Sequence, residues 1–103
     1  MINKAQYGTP FSETATHATK AEAIHAAVTG KTYYVTSVSA SSDKSGAILL
    51  VKQGTTVIWQ LQIGASVLSV TFPEPLIGAI GALVSAEIDG TSSCKANISG
   101  FEL

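Results

Sequence analysis

Arginine is absent from this chain of 103 residues, and only 13% of its residues are charged, for a formal net charge of −1. The six lysines (Lys4, Lys20, Lys31, Lys44, Lys52 and Lys95) are scattered. Neither bidentate guanidinium forks nor a basic stripe is therefore available for phosphates, which points away from direct DNA or RNA recognition. A single cysteine, Cys94, excludes an intrachain disulfide and a multi-thiolate zinc site, and its place on the apolar side of an alternating stretch reads as a small buried filler. No apolar run approaches the ~20 residues of a membrane span, and Met1 to Gly8 has no signal-peptide core, so the expectation is a soluble product of a cytoplasm with no membrane partner.

What is present is two-residue alternation cut by glycines. In Thr56 to Ile63 the residues Val57, Trp59, Leu61 and Ile63 share one face, with Gln60 and Gln62 on the other. Leu68, Val70 and Phe72 repeat the pattern, as do Cys94, Ala96 and Ile98 against Lys95, Asn97 and Ser99. Such half-buried strands predict an all-β, antiparallel fold. Further strands are expected at Thr32 to Ala40, Ala47 to Lys52 and Ala82 to Ile88, the last with Ser85 and Glu87 facing outward. Gln53-Gly54-Thr55 predicts a tight hairpin, and Pro73-Glu74-Pro75 predicts that the strand ending at Phe72 leaves its sheet there. Thr19 to Ala27 has helical composition, but Val28-Thr29-Gly30 ends it early, and a strand over Ala23 to Val28 fits as well.

About seven or eight strands at 8–12-residue spacing fit a two-sheet antiparallel jelly-roll sandwich. Residues 22–103 form this expected domain, preceded by residues 1–21 as a polar N-terminal arm. Trp59, in phase with Val57, Leu61 and Ile63, is expected in the core rather than on a sugar-binding platform. Tyr33 and Tyr34 must face opposite ways.

No reactive constellation accompanies these strands. His17 and His25 have no carboxylate or cysteine at ligand spacing, although a three-fold axis could gather three copies of His25 around a metal. Asp43 and Asp89 lie in turns, no serine sits in a Gly-x-Ser-x-Gly elbow, and Glu74 and Glu87 read as solvated charges. Asn97-Ile98-Ser99 matches a glycosylation acceptor but reads as exposed strand. The expectation is a protein without catalytic residues, metal or cofactor.

Apolar residues exceed what one sandwich can bury. Ala47-Ile48-Leu49-Leu50-Val51 is apolar on both faces, and Ile58 breaks the polar face of its strand. Placed on adjacent strands, Ile48, Leu50 and Ile58 with Tyr33 or Tyr34 predict an oligomer interface on the outside of one sheet.

From Gly30 onward the chain resembles the small jelly-roll proteins of tailed-phage particles, tumour-necrosis-factor-like trimers that serve as capsid decoration or cement proteins and as fibre or spike modules. The likeness rests on Lys31-Thr32-Tyr33-Tyr34-Val35, the Gln53-Gly54 turn before Trp59, Phe72-Pro73-Glu74-Pro75-Leu76, Gly78 and Gly81, and Cys94 through Ile98-Ser99-Gly100-Phe101-Glu102-Leu103. It implies a homotrimer on the virion surface, with Tyr33, Ile48, Leu50 and Ile58 at the interface. It also implies an arm carrying Tyr7, Pro10 and Phe11 that grips a major capsid protein or another virion protein. A receptor- or carbohydrate-binding module of a tail fibre or spike is the alternative within the same resemblance.

Overall fold

The computed structural model describes residues 8–103, which form eight strands and no helix. In chain order these are β1 (Thr9–His17), β2 (Lys20–His25), β3 (Tyr33–Ser42), β4 (Ile48–Gln53), β5 (Thr56–Gln62), β6 (Val67–Ile77), β7 (Val84–Asp89) and β8 (Cys94–Glu102). They build two antiparallel four-stranded sheets, ordered β1-β8-β3-β6 in the first and β2-β7-β4-β5 in the second.

One long hairpin generates both sheets. It turns at Gly54, whose φ of 60° suits a residue without a side chain, and begins with the Gln53↔Thr56 pair. Nested outward, β4 pairs with β5, β3 with β6, β2 with β7 and β1 with β8, and successive pairs fall in opposite sheets. The ladders β3–β8 and β4–β7 then close each sheet, which makes the fold a jelly roll. Between the sheets, Val35, Val38, Ala96 and Ile98 of the first meet Leu49, Val51, Val84, Ala86 and Ile88 of the second, all essentially without solvent contact.

Several expectations change. Thr9–His17, assigned to a free polar arm, is an edge strand paired along its length with β8. Its alternation escapes a hydropathy reading because the inward positions are Phe11, Glu13 and Ala15, only one of them large and apolar. The ambiguous segment after Thr19 is a strand, with Ala21 and Ala23 turned into the core. Strand β6 continues through Pro73 and Pro75, yet its ladder to β3 jumps from Thr71 to Leu76, so the prolines stand outside the hydrogen-bonding register. An edge strand such as β6 tolerates this, because one of its sides has no ladder to break.

The same jump marks a bulge at Thr36, where β3 shifts register against both neighbours. Gly100 of β8 lies against this bulge, and a Cβ there would collide with the Tyr34 carbonyl oxygen. Gly100→Ala is expected to cost about 1–3 kcal/mol or more, because backbone rather than a movable side chain blocks the methyl group. Urea denaturation checks this, and unchanged stability would show that β3 and β8 can separate freely at the bulge.

Candidate functional site

The two outer faces of the sandwich differ in chemistry. On the first sheet, Ser12, Thr14, Asn97, Ser99, Ser37 and Ser39 lie side by side through the β1–β8–β3 registers. Asn97 Nδ2 donates to Thr14 Oγ1 at 2.9 Å, and Ser99 Oγ is 3.1 Å from Ser12 Oγ. A hydroxyl-rich face of this kind is at ease in water.

The outer face of the second sheet is not. Core placement of Leu49 and Val51 turns Ile48 and Leu50 outward by the two-residue period of β4. Ile48 is 42% exposed and Leu50 half-buried. In β5 the ladder steps from Val51↔Trp59 to Lys52↔Val57, leaving Ile58 without an opposite residue and reversing the parity of Val57. Val57 therefore joins Lys52 on the outer face, 44% exposed, where sequence alternation alone would place it in the core. Ile24, outward on β2 beside Ser85, completes an apolar frame. Ile48, Leu50, Val57, Gln60, Glu87 and Asp89 line most of a shallow groove of about 420 Å³.

Inside that frame stands a balanced charge cluster. Glu87, centred on β7 and 7% exposed, receives Lys52 Nζ at 3.1 Å and Lys20 Nζ at 3.3 Å, while Glu22 Oε2 lies 3.7 Å from Lys52. Two lysines and two carboxylates cancel. The hydrogen bond that Glu22 shares with Glu87, together with partial burial, pushes the Glu22 carboxyl up. Burial also pushes Glu87 up, but its bonds from Glu22, Lys52 and Lys20 outweigh this and hold it below its ordinary value. The Glu87 hydrogen bond raises Lys52 in turn.

Of the residues assigned to an interface, Ile48 and Leu50 stand together on this face, and Ile58 sits at its edge on β5. Tyr33 does not belong with them. It opens β3 in the other sheet, is 2% exposed, and points between the sheets, where its hydroxyl donates to Gln53 Oε1 at 2.9 Å and burial pushes the phenol up. Tyr34 takes the outer face of the first sheet, stacked on Phe101 at 4.8 Å. Of the residues assigned to the arm, Pro10 is exposed on β1, whereas Phe11 turns inward and stacks on the His25 ring at 3.9 Å. Phe11 is thus half-buried against the sandwich rather than carried on a free arm, and Tyr7 lies outside the described residues. Trp59 packs against the core and meets Phe72 edge-on at 5.1 Å.

A second polar cluster closes the end of the sandwich and has no counterpart in the sequence reading. His25 is buried between Glu13, whose Oε2 is 3.3 Å from Nδ1, and Glu102, whose Oε1 is 2.6 Å from Nε2 but out of line for a hydrogen bond. The ring therefore lies inside one subunit, with a carboxylate beside each of its nitrogens. Among the described residues no three His, Cys, Asp or Glu side chains are arranged to hold a metal ion. Asp43 serves structure: the Ser92 hydroxyl and the Thr91 and Ser92 amides hold its carboxyl well below the usual range and tie the β3–β4 loop to the β7–β8 loop. Cys94 Sγ lies 3.2 Å from the His17 carbonyl oxygen, buried as a filler would be. Neither a family model nor a curated protein matches the chain.

The two glutamates of the outer cluster should respond to pH with opposite sign. A carboxyl held low adds stability above the ordinary value of about 4.3, and that addition is lost as pH falls through the folded value; a raised carboxyl is a cost once pH exceeds its folded value. Glu87→Gln is therefore expected to lose about 1–2 kcal/mol at pH 7, allowing for the partial exposure of the lysines. Glu22→Gln should stabilise at pH 7 and lose that advantage by about pH 3. Denaturation of both variants at the two pH values checks the signs, and equal destabilisation by both at pH 7 would contradict the assignment.

Proposed function

We propose that the chain is a non-enzymatic structural protein of a virion, a homotrimer that packs through the outer face of its second sheet and decorates and stabilises a phage head. The observation that carries this reading is the apolar frame of Ile24, Ile48, Leu50 and Val57 around a neutral, largely internally paired charge cluster. Covering apolar surface contributes on the order of 25 cal/mol per Å² before association costs. A second copy is a fitting cover because the face carries no net charge to repel its own kind, and the Lys52–Glu87 pair is already satisfied within one subunit. The hydroxyl-rich face of the first sheet stays free for water or the shell. With Phe11 turned inward, contact with a major capsid or other virion protein falls to Tyr7 and the exposed Pro10.

The virion assignment draws on the resemblance together with the jelly-roll strand order. The fibre-module alternative asks for an exposed aromatic platform. The six described aromatics are otherwise engaged: Phe11 with His25, Tyr33 with Gln53, Tyr34 with Phe101, and Trp59 with Phe72.

Sedimentation velocity of the purified chain is expected to give an assembly whose mass is a multiple of three subunits, and Ile48→Lys, at a position already open to solvent, a folded species of lower mass. A wild type that stays monomeric at micromolar concentration would overturn the assembly, because an interface of standard size holds its copies together there. Gold-labelled antibody against the chain should mark virion heads in electron micrographs. Label confined to tail tips, or to no particle, would overturn the decoration role.

A further inference from the structure

Four strands lie at sheet edges, β1 and β6 in the first sheet and β2 and β5 in the second. An edge strand presents unpaired main-chain donors and acceptors, and proteins ordinarily block them with proline, charge or short length. Three of these edges are blocked. Strand β1 carries Pro10 and an inward Glu13, β2 has six residues including Lys20 and Glu22, and β6 leaves its ladder at Pro73-Glu74-Pro75.

Strand β5 carries neither proline nor charge. It lies within 21 consecutive residues, Gln53 to Pro73, that contain no Asp, Glu, Lys, Arg or His. Its composition is strongly strand-forming, and Val57, Ile58 and Leu61 remain about two-fifths exposed. The register shift at Ile58 disturbs only its beginning, so Trp59 to Gln62 runs regularly opposite Val51, Leu50, Leu49 and Ile48. Leu61 is the telling side chain: it faces the core side, opposite the buried Leu49, yet lacks a neighbour beyond the edge.

We propose that β5 pairs antiparallel with β5 of a second copy about a two-fold axis at Gln60, joining two second sheets into one of eight strands. The occupant follows from charge. A strand bearing Lys or Glu would set that charge beside Ile58 and Leu61 with no counter-charge free, because Lys52 and Glu87 already satisfy one another. Among the described strands, β5 is itself the one uncharged edge. Antiparallel partners share a face, so an axis at Gln60 sets Trp59 of one copy opposite Leu61 of the other and covers the exposed leucine from both sides. This contact uses the edge of the second sheet, whereas the trimer proposed above uses its face, so either can fail alone.

Hydrogen exchange and mass together test it. In the wild-type assembly every amide of β5 is expected to be protected, including those pointing away from β4, and the Leu61→Lys variant should lose protection at those outward amides while its assembly mass halves. Circular dichroism and retained protection of β4 and β7 establish that the variant is folded. Outward β5 amides that exchange freely in the wild type, or an assembly mass unmoved by Leu61→Lys, would overturn the pairing. Ile48→Lys supplies the separation: it should lower the mass by breaking the face contact and leave β5 protected.

Discussion

Strand β4 carries apolar side chains on both of its faces, and a strand can turn only one face to the core. The ladder to β5 and β7 resolves this by burying Leu49 and Val51 completely, which sends Ile48 and Leu50 to the outside. Shifting the register by one residue would merely exchange the two pairs, so no packing of a single two-layer sandwich shelters all four. The extra residue at Ile58 then adds Val57 to the same outer face. The surface that invites assembly is in this sense a consequence of core formation.

Polar groups fix what apolar packing leaves loose. A sheet face framed by isoleucine, leucine and valine would bind almost any apolar surface, but the Lys20–Glu87–Lys52–Glu22 cluster limits which surfaces fit without desolvating a charge. At the end of the sandwich, His25 draws Glu13 of β1 and Glu102 of β8 around one ring, while Phe11 stacks on its face. That arrangement ties β1 and β8 to β2 and accounts for a first strand that joins the sheet with so few apolar side chains.

Local alternation makes much of this legible. Strands β4 to β8, the hairpin at Gly54 and the inward Cys94, Ala96 and Ile98 all follow from patterns within six or seven residues, and nested pairing of those strands yields the jelly roll. What escapes depends on partners distant in sequence. Strand β1 reads as polar because the inward carboxylate of Glu13 is matched by His25, twelve positions on. The opposition of Tyr33 and Tyr34 is visible in their adjacency, but which one enters the core depends on the sheet to which β3 belongs and on the Thr36 bulge. Val57 defies its alternation because a single register shift reverses side-chain parity. Glu87 reads as a surface charge until β2 and β4 flank it with two lysines.

If assembly follows from the two-faced character of β4, then the methyl groups of Ile48 and Leu50 must be hidden from solvent in the native protein even though one subunit alone leaves them open. Methyl-resolved NMR with a soluble paramagnetic agent measures this directly. Ile48 and Leu50 are expected to relax as slowly as the core methyls of Leu49 and Val51, while Ile80 broadens; equal broadening of Ile48, Leu50 and Ile80 would rule out assembly through this face.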